Sequence, residues 1–139
     1  MIRFVPSNEM KVDVHKSQEH QISRKEKIKQ NTLRHDTISF DVYDDSKLIG
    51  FVMLREFEKR KFFLWNFAID KNFQNKGLGT QVLRDLICFL KTNYQLEVLT
   101  TTYKTGNTTA KHLYEKVGFR ETEKVIDEEI NEVNMELEI

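Results

Sequence analysis

Residues 61–80 read KFFLWNFAIDKNFQNKGLGT, an apolar run followed by a short loop with two glycines. Residues 61–69 are apolar except for the first lysine and Asn66, as expected for a strand buried on both faces. After a short loop, apolar residues recur at helical spacing, namely Leu78, Val82, Leu83, Leu86, Ile87 and Leu90. The stretch therefore predicts a buried strand, a loop and an amphipathic helix.

The loop between the predicted strand and helix contains Gly77 and Gly79. Glycine lets the backbone approach a ligand closely, and the free N–H groups of a first helical turn favour an anion. The pattern is neither a Walker loop nor a dinucleotide fingerprint, which need other glycine spacings. We interpret the loop as a phosphate cradle, with an ordinary turn as the alternative.

A second ordered segment, NTTAKHLYEKVGF, occupies residues 107–119. Asn107 suits a helix N-cap, and Gly118 suits the left-handed position just past a helix end. One face of the predicted helix carries Ala110, Leu113, Tyr114 and Val117.

Together these motifs resemble the GNAT superfamily of acetyl-coenzyme A-dependent N-acetyltransferases. The pattern Q-x-x-G-x-G is followed by N-x-x-A-x-x-x-Y-x-x-x-G-F, with a strand-like run at Leu96, Val98 and Leu99 between them. The resemblance covers roughly residues 38–139. It implies one α/β domain over residues 1–139, with a central mixed, largely antiparallel twisted sheet of about six to seven strands flanked by helices.

The remaining elements fit this order. A capping-box pattern at Ser23 and Glu26 predicts a helix through about Leu33. The other predictions are strands at 2–5, 38–42 and 48–54, a charged turn at 55–61, and a closing strand in which Val133, Met135, Leu137 and Ile139 alternate with polar residues.

The family resemblance implies acetyl-CoA as cosubstrate and assigns roles within this sequence. Tyr114 would donate a proton to the leaving thiolate, a role that suits a phenol hydroxyl. Main-chain groups at 67–69 would pair with the pantetheine arm, and the amides at 75–80 would hold the pyrophosphate. The implied cofactor-binding residues are Phe67, Ala68, Ile69, Gln74, Asn75, Lys76, Gly77, Leu78, Gly79, Thr80 and Asn107.

Each of these roles has a structural alternative. Tyr114 is equally placed to be a core aromatic, and Asn107 to be a helix cap alone. No general base is assigned, because the strand offers Asn66 and Asp70 rather than an inward glutamate. Glu56 is a candidate base, but it also belongs to the charged run 55–61.

Composition restricts the functional class. The chain has 139 residues, 22 basic and 22 acidic residues, and a formal net charge of zero. No apolar run reaches the roughly 18 residues that a membrane span needs, and no secretory leader is apparent, so we expect a soluble cytoplasmic protein. The single cysteine, Cys88, is expected to be buried packing, and the four histidines lack metal-site spacing, so no metal is expected.

The acceptor is predicted to be a small-molecule amine. Residues 121–139 hold eight acids against Lys124 alone, a formal charge of −7 that would attract a cation, although a solvated hairpin explains it equally well. The strand and closing hairpin resemble the bacterial diamine and polyamine (spermidine/spermine) acetyltransferase branch. Protein N-termini, aminoglycoside-type amines and a non-catalytic acetyl-CoA sensor stay open.

Nucleic acid and a second copy of the chain are two further candidate partners. Residues 10–36 hold seven bases against four acids without interleaved aromatic residues, so nucleic acid is not expected as a partner. The alternating last strand is a candidate edge for a homodimer.

Overall fold

A computed structural model describes residues 1–126 and 131–139, with side-chain surroundings up to residue 122 in the first range. Three of the acids counted in the C-terminal cluster, Asp127, Glu128 and Glu129, lie outside the described residues.

Seven strands form a single sheet, with the order β1-β2-β3-β4-β5-β7-β6. All neighbouring strands are antiparallel except β4 and β5, which are parallel. The prediction of a mixed, largely antiparallel sheet with flanking helices is therefore confirmed. The elements are β1 (Ile2–Pro6), α1 (Lys25–Asn31), β2 (Thr37–Asp44), β3 (Lys47–Glu58), β4 (Lys61–Ile69), α2 (Leu78–Tyr94), β5 (Val98–Lys104), α3 (Thr108–Lys116), β6 (Arg120–Ile126) and β7 (Asn131–Glu138).

The sheet separates two hydrophobic clusters. The larger cluster packs α2 onto the sheet, and the helix residues buried there are Val82, Leu83, Leu86 and Leu90. The smaller cluster lies around Ile28 of α1, which is fully buried with Phe51 and Met53 of β3. The apolar spacing that predicted α2 is thus the face that packs against the sheet.

A β-bulge interrupts β4 at Trp65. Leu64 pairs with Leu54, but the next pair along the strands is Asn66 with Met53, so β4 has one extra residue. The bulge reverses the alternation of side chains: Leu64 and Phe67, three residues apart, both pack in the larger cluster, and Trp65 and Ala68 both pack in the smaller one. The prediction that β4 is buried on both faces holds in part: Leu64 and Ala68 are buried on opposite sides of the sheet, but the odd-numbered residues are only half-buried.

Strands β4 and β5 separate soon after they begin to pair. Their parallel pairing extends only from Lys61 with Val98 to Phe63 with Thr100. Beyond these pairs the two strands line opposite walls of a cavity. The sheet is therefore open in its middle, next to the bulge.

Two predicted boundaries differ from the structure. β3 continues to Glu58, so the turn predicted at 55–61 is confined to Lys59 and Arg60, and Arg60 has a φ of 64°. The helix predicted from Ser23 to Leu33 spans only Lys25–Asn31. Its predicted cap is wrong, because Ser23 instead bonds to Asn66.

Two further expectations need correction. Cys88 is exposed, because it lies on the outer face of α2 beside buried residues rather than among them. β7 is paired with β5 on one side and β6 on the other, so it offers no free edge for a dimer. The homodimer itself stays a prediction.

Candidate active site

The cleft between β4 and β5 forms a cavity of about 670 Å³. Residues of both strands, of the start of α2 and of α3 line it. The residues that line it from β4 and β5 are Leu64, Trp65, Phe67, Ala68, Ile69, Thr101, Thr102, Tyr103 and Lys104. Because the strands have stopped pairing here, their main-chain groups are open to a ligand.

The glycine loop meets the cavity at the start of α2. Gly77 has a φ of 75° and directly precedes the helix, and a Cβ built there would contact nothing within 4 Å. The first intrahelical bond runs from the Gln81 N–H to the Gly77 carbonyl, at 3.3 Å. The N–H groups of residues 78–80 therefore form the free, positive end of the helix dipole.

The structure brings most of the predicted site residues to this cavity. Two of them do not line it: Lys76 lies 5.8 Å from the ring centre of Phe73, and Leu78 packs against the larger core cluster. The predicted residues in the lining are Phe67, Ala68, Ile69, Gln74, Asn75, Gly77, Gly79, Thr80, Asn107 and Tyr114.

Helix α3 contributes Asn107 and Tyr114. The Asn107 side-chain oxygen accepts a hydrogen bond from the Ala110 N–H at 3.1 Å, so Asn107 caps the helix as the sequence predicts. Tyr114 is 8% exposed, lines the cavity, and packs on Phe119 with a ring-centre distance of 5.4 Å. Tyr114 is therefore both a buried aromatic residue of the core and a residue of the cavity lining.

Burial raises the pKa of the Tyr114 phenol, and a hydrogen bond with the Thr101 side chain acts in the opposite direction. The Thr101 hydroxyl also donates to the Leu64 carbonyl oxygen at 3.4 Å. Thr101 and Leu64 come directly after the last β4–β5 pair. The Tyr114 hydroxyl thus lies near the apex of the cleft, protonated at neutral pH.

The N-terminal region supplies cavity residues that the sequence reasoning missed. Residues 13–23, here called the strap, include a short 3-10 helix, Lys16–Gln21. The strap residues in the lining are Val14, Ser17, Gln18, Gln21 and Ile22. The sequence signal for this segment is weak because the segment is polar and has no apolar periodicity. Its position before a predicted helix was the only sequence feature that pointed to it.

The candidate bases are placed as follows. Glu56 is exposed, and its side chain accepts from the Arg60 N–H at 3.1 Å in the β3–β4 turn, outside the cavity lining. Asn66 is buried, and its side-chain oxygen accepts from the Ser23 N–H at 3.0 Å. Glu132 of β7 lines the cavity and was not singled out as a site residue.

Basic residues also reach the cavity: Lys104 from β5, and His112 and Lys116 from α3. Within residues 1–126 and 131–139, no group of acidic, histidine or cysteine side chains has the arrangement of a metal site. In the same part of the chain, no helix combines the length and apolar character that crossing a bilayer requires.

The sequence profile of the acetyltransferase (GNAT) family matches residues 8–119. The chain therefore belongs to this family, and the family assignment made from the two motifs is confirmed. Membership places the chain in a class of acetyl-CoA-dependent acetyltransferases.

One curated relative is a probable spermine N(1)-acetyltransferase from Bacillus subtilis subsp. natto, 31% identical over 86 residues. This match covers 57% of the present chain and 57% of the relative, so it spans little more than half of that protein's length.

Solved structures share the fold at low identity. A GNAT family acetyltransferase from Elizabethkingia anophelis, with acetyl-CoA bound, has a TM-score of 0.73 and 22% identity, over 99% of this chain and 98% of that one. The spermidine N-acetyltransferase from Vibrio cholerae, in complex with CoA and spermine, has a TM-score of 0.71 and 23% identity, over 81% and 72%.

Proposed function

We propose that this chain transfers the acetyl group of acetyl-CoA to a primary amine, with a polyamine such as spermidine as the acceptor. One observation carries the proposal: the cavity between the separated strands β4 and β5 is bordered by a glycine loop at a helix start and by a buried tyrosine. This arrangement combines an anion site with a proton donor.

The residues present fit a CoA-like cosubstrate. The free N–H groups at 78–80 and the open space beside Gly77 suit a pyrophosphate, because no side chain fills that position. Main-chain groups at 67–69 border the cavity where β4 has left β5, and they suit the amides of a pantetheine arm. Lys104 and Lys116 add positive charge to the lining, which also favours an anionic ligand.

When bound, acetyl-CoA supplies a thioester whose acetyl carbon is attacked by the uncharged amine. The protein's contribution is to orient the two reactants, donate hydrogen bonds to the carbonyl oxygen, and supply a proton to the departing sulfur. We assign the proton to the Tyr114 hydroxyl, whose raised pKa keeps it protonated at neutral pH. The amine must lose a proton, and no residue is assigned as its base.

Two facts support a cationic acceptor. The curated relative and the Vibrio cholerae structure are named for spermine and spermidine acetylation. In this chain, Glu132 is the carboxylate that lines the cavity among the described residues. A carboxylate in the lining attracts a polyamine, whose remaining amines are charged at neutral pH. Protein N-termini and aminoglycoside-type amines are the alternative acceptors.

The proposal is tested by measuring CoA thiol release from acetyl-CoA with spermidine, spermine, diamines, aminoglycosides and short peptides, each against a reaction without acceptor. Turnover confined to polyamines supports the whole proposal. Turnover confined to another amine keeps the acetyltransferase and overturns the acceptor. CoA binding without turnover on any amine overturns the enzymatic proposal and favours a sensor.

A further inference from the structure

The strap is fastened to the residues that lead from β4 into the glycine loop. Its first contact is at Asp13. The Asp13 N–H donates to the Asp70 carboxylate at 3.0 Å, and the Asp13 carbonyl accepts from the Lys71 N–H at 2.7 Å. Its second contact is a pair of side-chain amides, Gln18 and Gln74. Each amide donates to the other at 2.9 Å.

These bonds use both donors of the Gln74 amide. The Gln74 Nε2 donates to the Gln18 side-chain oxygen at 2.9 Å and to the Ile69 carbonyl at 2.8 Å. A primary amide has two N–H donors, so none is left for an anionic ligand. The oxygen of Gln74, which accepts from Gln18, would repel a phosphate. The side chain of Gln74 therefore acts on the loop, not on the ligand.

Gln18 is held in turn by its own segment. Its side-chain oxygen accepts from the His15 N–H at 3.1 Å in addition to Gln74. The amide pair thus joins the 3-10 helix of the strap to the first residue of the Q-x-x-G-x-G loop. Three residues separate Gln74 from the start of the anion-facing amides, because α2 begins at Leu78.

We propose that Gln18 is a positioning residue: through Gln74 it fixes the glycine loop in its binding geometry, so that cofactor binding and ordering of the strap are coupled. The inference rests on the proposed role of the loop in holding CoA. Linkage makes the coupling reciprocal, so CoA must order the strap as much as an ordered strap favours CoA. The strap also lines the cavity through Ser17 and Gln21. Binding of CoA to the loop would therefore also order part of the surface that the acceptor amine contacts.

The test is a double-mutant cycle on CoA affinity, measured by titration calorimetry on Gln18→Ala, Gln74→Ala and the double variant. We expect Gln18→Ala to raise the CoA Kd roughly tenfold, as losing the two hydrogen bonds between Gln18 and Gln74 predicts. The double variant should be no weaker than Gln74→Ala alone. Additive losses would mean that each glutamine acts independently, for instance by direct contact of Gln18 with CoA, and would overturn the inference.

Two further variants test whether the effect is specific to the hydrogen bonds between Gln18 and Gln74. Gln18→Glu replaces the N–H group that donates to Gln74 with a carboxylate oxygen facing the Gln74 oxygen, so it should raise the Kd at least as much as Gln18→Ala. Gln21→Ala alters another cavity-lining glutamine of the strap outside the amide pair, and its effect should not depend on Gln74. Coupling of Gln21 to Gln74 as strong as that of Gln18 would overturn the specific role of Gln18.

Amide hydrogen exchange measures whether CoA binding orders the strap. A contact that only stabilised the fold would not make exchange in the strap depend on CoA. In the unmodified protein, CoA should slow exchange of the amides in residues 13–23, and Gln18→Ala should abolish that slowing while CoA remains saturating. Unchanged strap exchange in the presence of bound CoA would overturn the coupling. Failure of the unmodified protein to bind CoA would instead overturn the proposed function, and the inference with it.

Discussion

Phe63 of β4 and Thr100 of β5 are the last residues at which the two parallel strands remain paired. One residue further along each strand, the Thr101 hydroxyl donates to the Leu64 carbonyl, and the next residue of β4 is the bulged Trp65. The bulge and the end of pairing therefore coincide. The cavity exists because the sheet opens there, and Thr101 and Tyr114 both line it.

Tyr114→Phe should lower kcat about a hundredfold, the usual contribution of a positioned general acid. The CoA Kd should stay unchanged, because the ring and its packing on Phe119 remain. The measurement is steady-state kinetics with the best acceptor of the panel, together with CoA calorimetry. Tyr94→Phe serves as the control, since Tyr94 lies at the end of α2, outside the cavity lining.

The pH dependence adds a second check on Tyr114. Because burial raises the pKa of Tyr114 above that of an ordinary phenol, the hydroxyl should stay protonated at neutral and mildly alkaline pH, and its acid role should not be lost there. A fall in rate that begins below pH 9 and disappears in Tyr114→Phe would contradict this picture. An unchanged kcat in that variant would remove the acid role.

Much of the fold could be predicted because the sequence signals act locally. The apolar stripe of α2, the Asn107 cap and the alternation of β7 each follow from one segment's own spacing, and each has the predicted structure. The topology could be predicted because the two motifs Q-x-x-G-x-G and N-x-x-A-x-x-x-Y-x-x-x-G-F, in this order, resemble a family whose fold is known. The β4 bulge could not be predicted, because it is a property of pairing with β3 and leaves no mark in either strand alone.

The strap was missed for a related reason. Its order depends on partners far away in sequence, such as Asp70 for Asp13 and Asn66 for Ser23, and none of these pairs has a local pattern. The same limit explains the error at Cys88: it sits between apolar residues in sequence, but its helical position points away from the sheet.

Gly77→Ala should raise the CoA Kd at least tenfold. Alanine at a φ of 75° costs about 1 kcal/mol, so the loop shifts, and the new methyl enters the space proposed for the pyrophosphate. Gly118→Ala is a stringent control: Gly118 also has a positive φ, 111°, and a Cβ there would lie 3.1 Å from Leu137 Cδ1, but the residue lies at the end of α3, outside the cavity lining. Equal CoA binding in both variants would contradict the cradle assignment.

Glu132→Gln should raise the KM for a polyamine by about three- to tenfold and leave the CoA Kd unchanged, if the carboxylate attracts a charged amine. The rise should shrink as ionic strength increases. Glu138→Gln, on the same strand near its exposed end, is the control. A polyamine KM that does not respond to Glu132 would remove the electrostatic support for that acceptor.

Acid sensitivity should depend on Asp36. Its carboxylate accepts from Arg34 Nε and Arg55 Nε, both at 3.0 Å, and these bonds hold its pKa well below the usual range. A lowered folded-state pKa contributes stability above about pH 4 that is lost as the pH falls. Urea unfolding from pH 6 to 3 should therefore show a shallower loss of stability in Asp36→Asn.

The ion pair of Lys11 with Asp41 should matter more to stability than the exposed ion pair of Lys25 with Asp13. Lys11 Nζ lies 2.6 Å from Asp41 Oδ2, and the Asp41 side chain is only 5% exposed. Its other oxygen, Oδ1, has no hydrogen-bond partner within the described residues. Removing the lysine would therefore leave a buried carboxylate almost without compensation.

Lys11→Met should accordingly lower the free energy of unfolding by about 3 kcal/mol in urea at pH 7. The double variant with Asp41→Asn should regain part of that loss, because the buried charge is gone. Lys25→Met is the matched control: its partner Asp13 lies at 2.8 Å, but the two side chains are 49% and 64% exposed, and such pairs contribute less than about 1 kcal/mol. Similar losses for the two lysine variants would show that burial of Asp41 does not decide the effect.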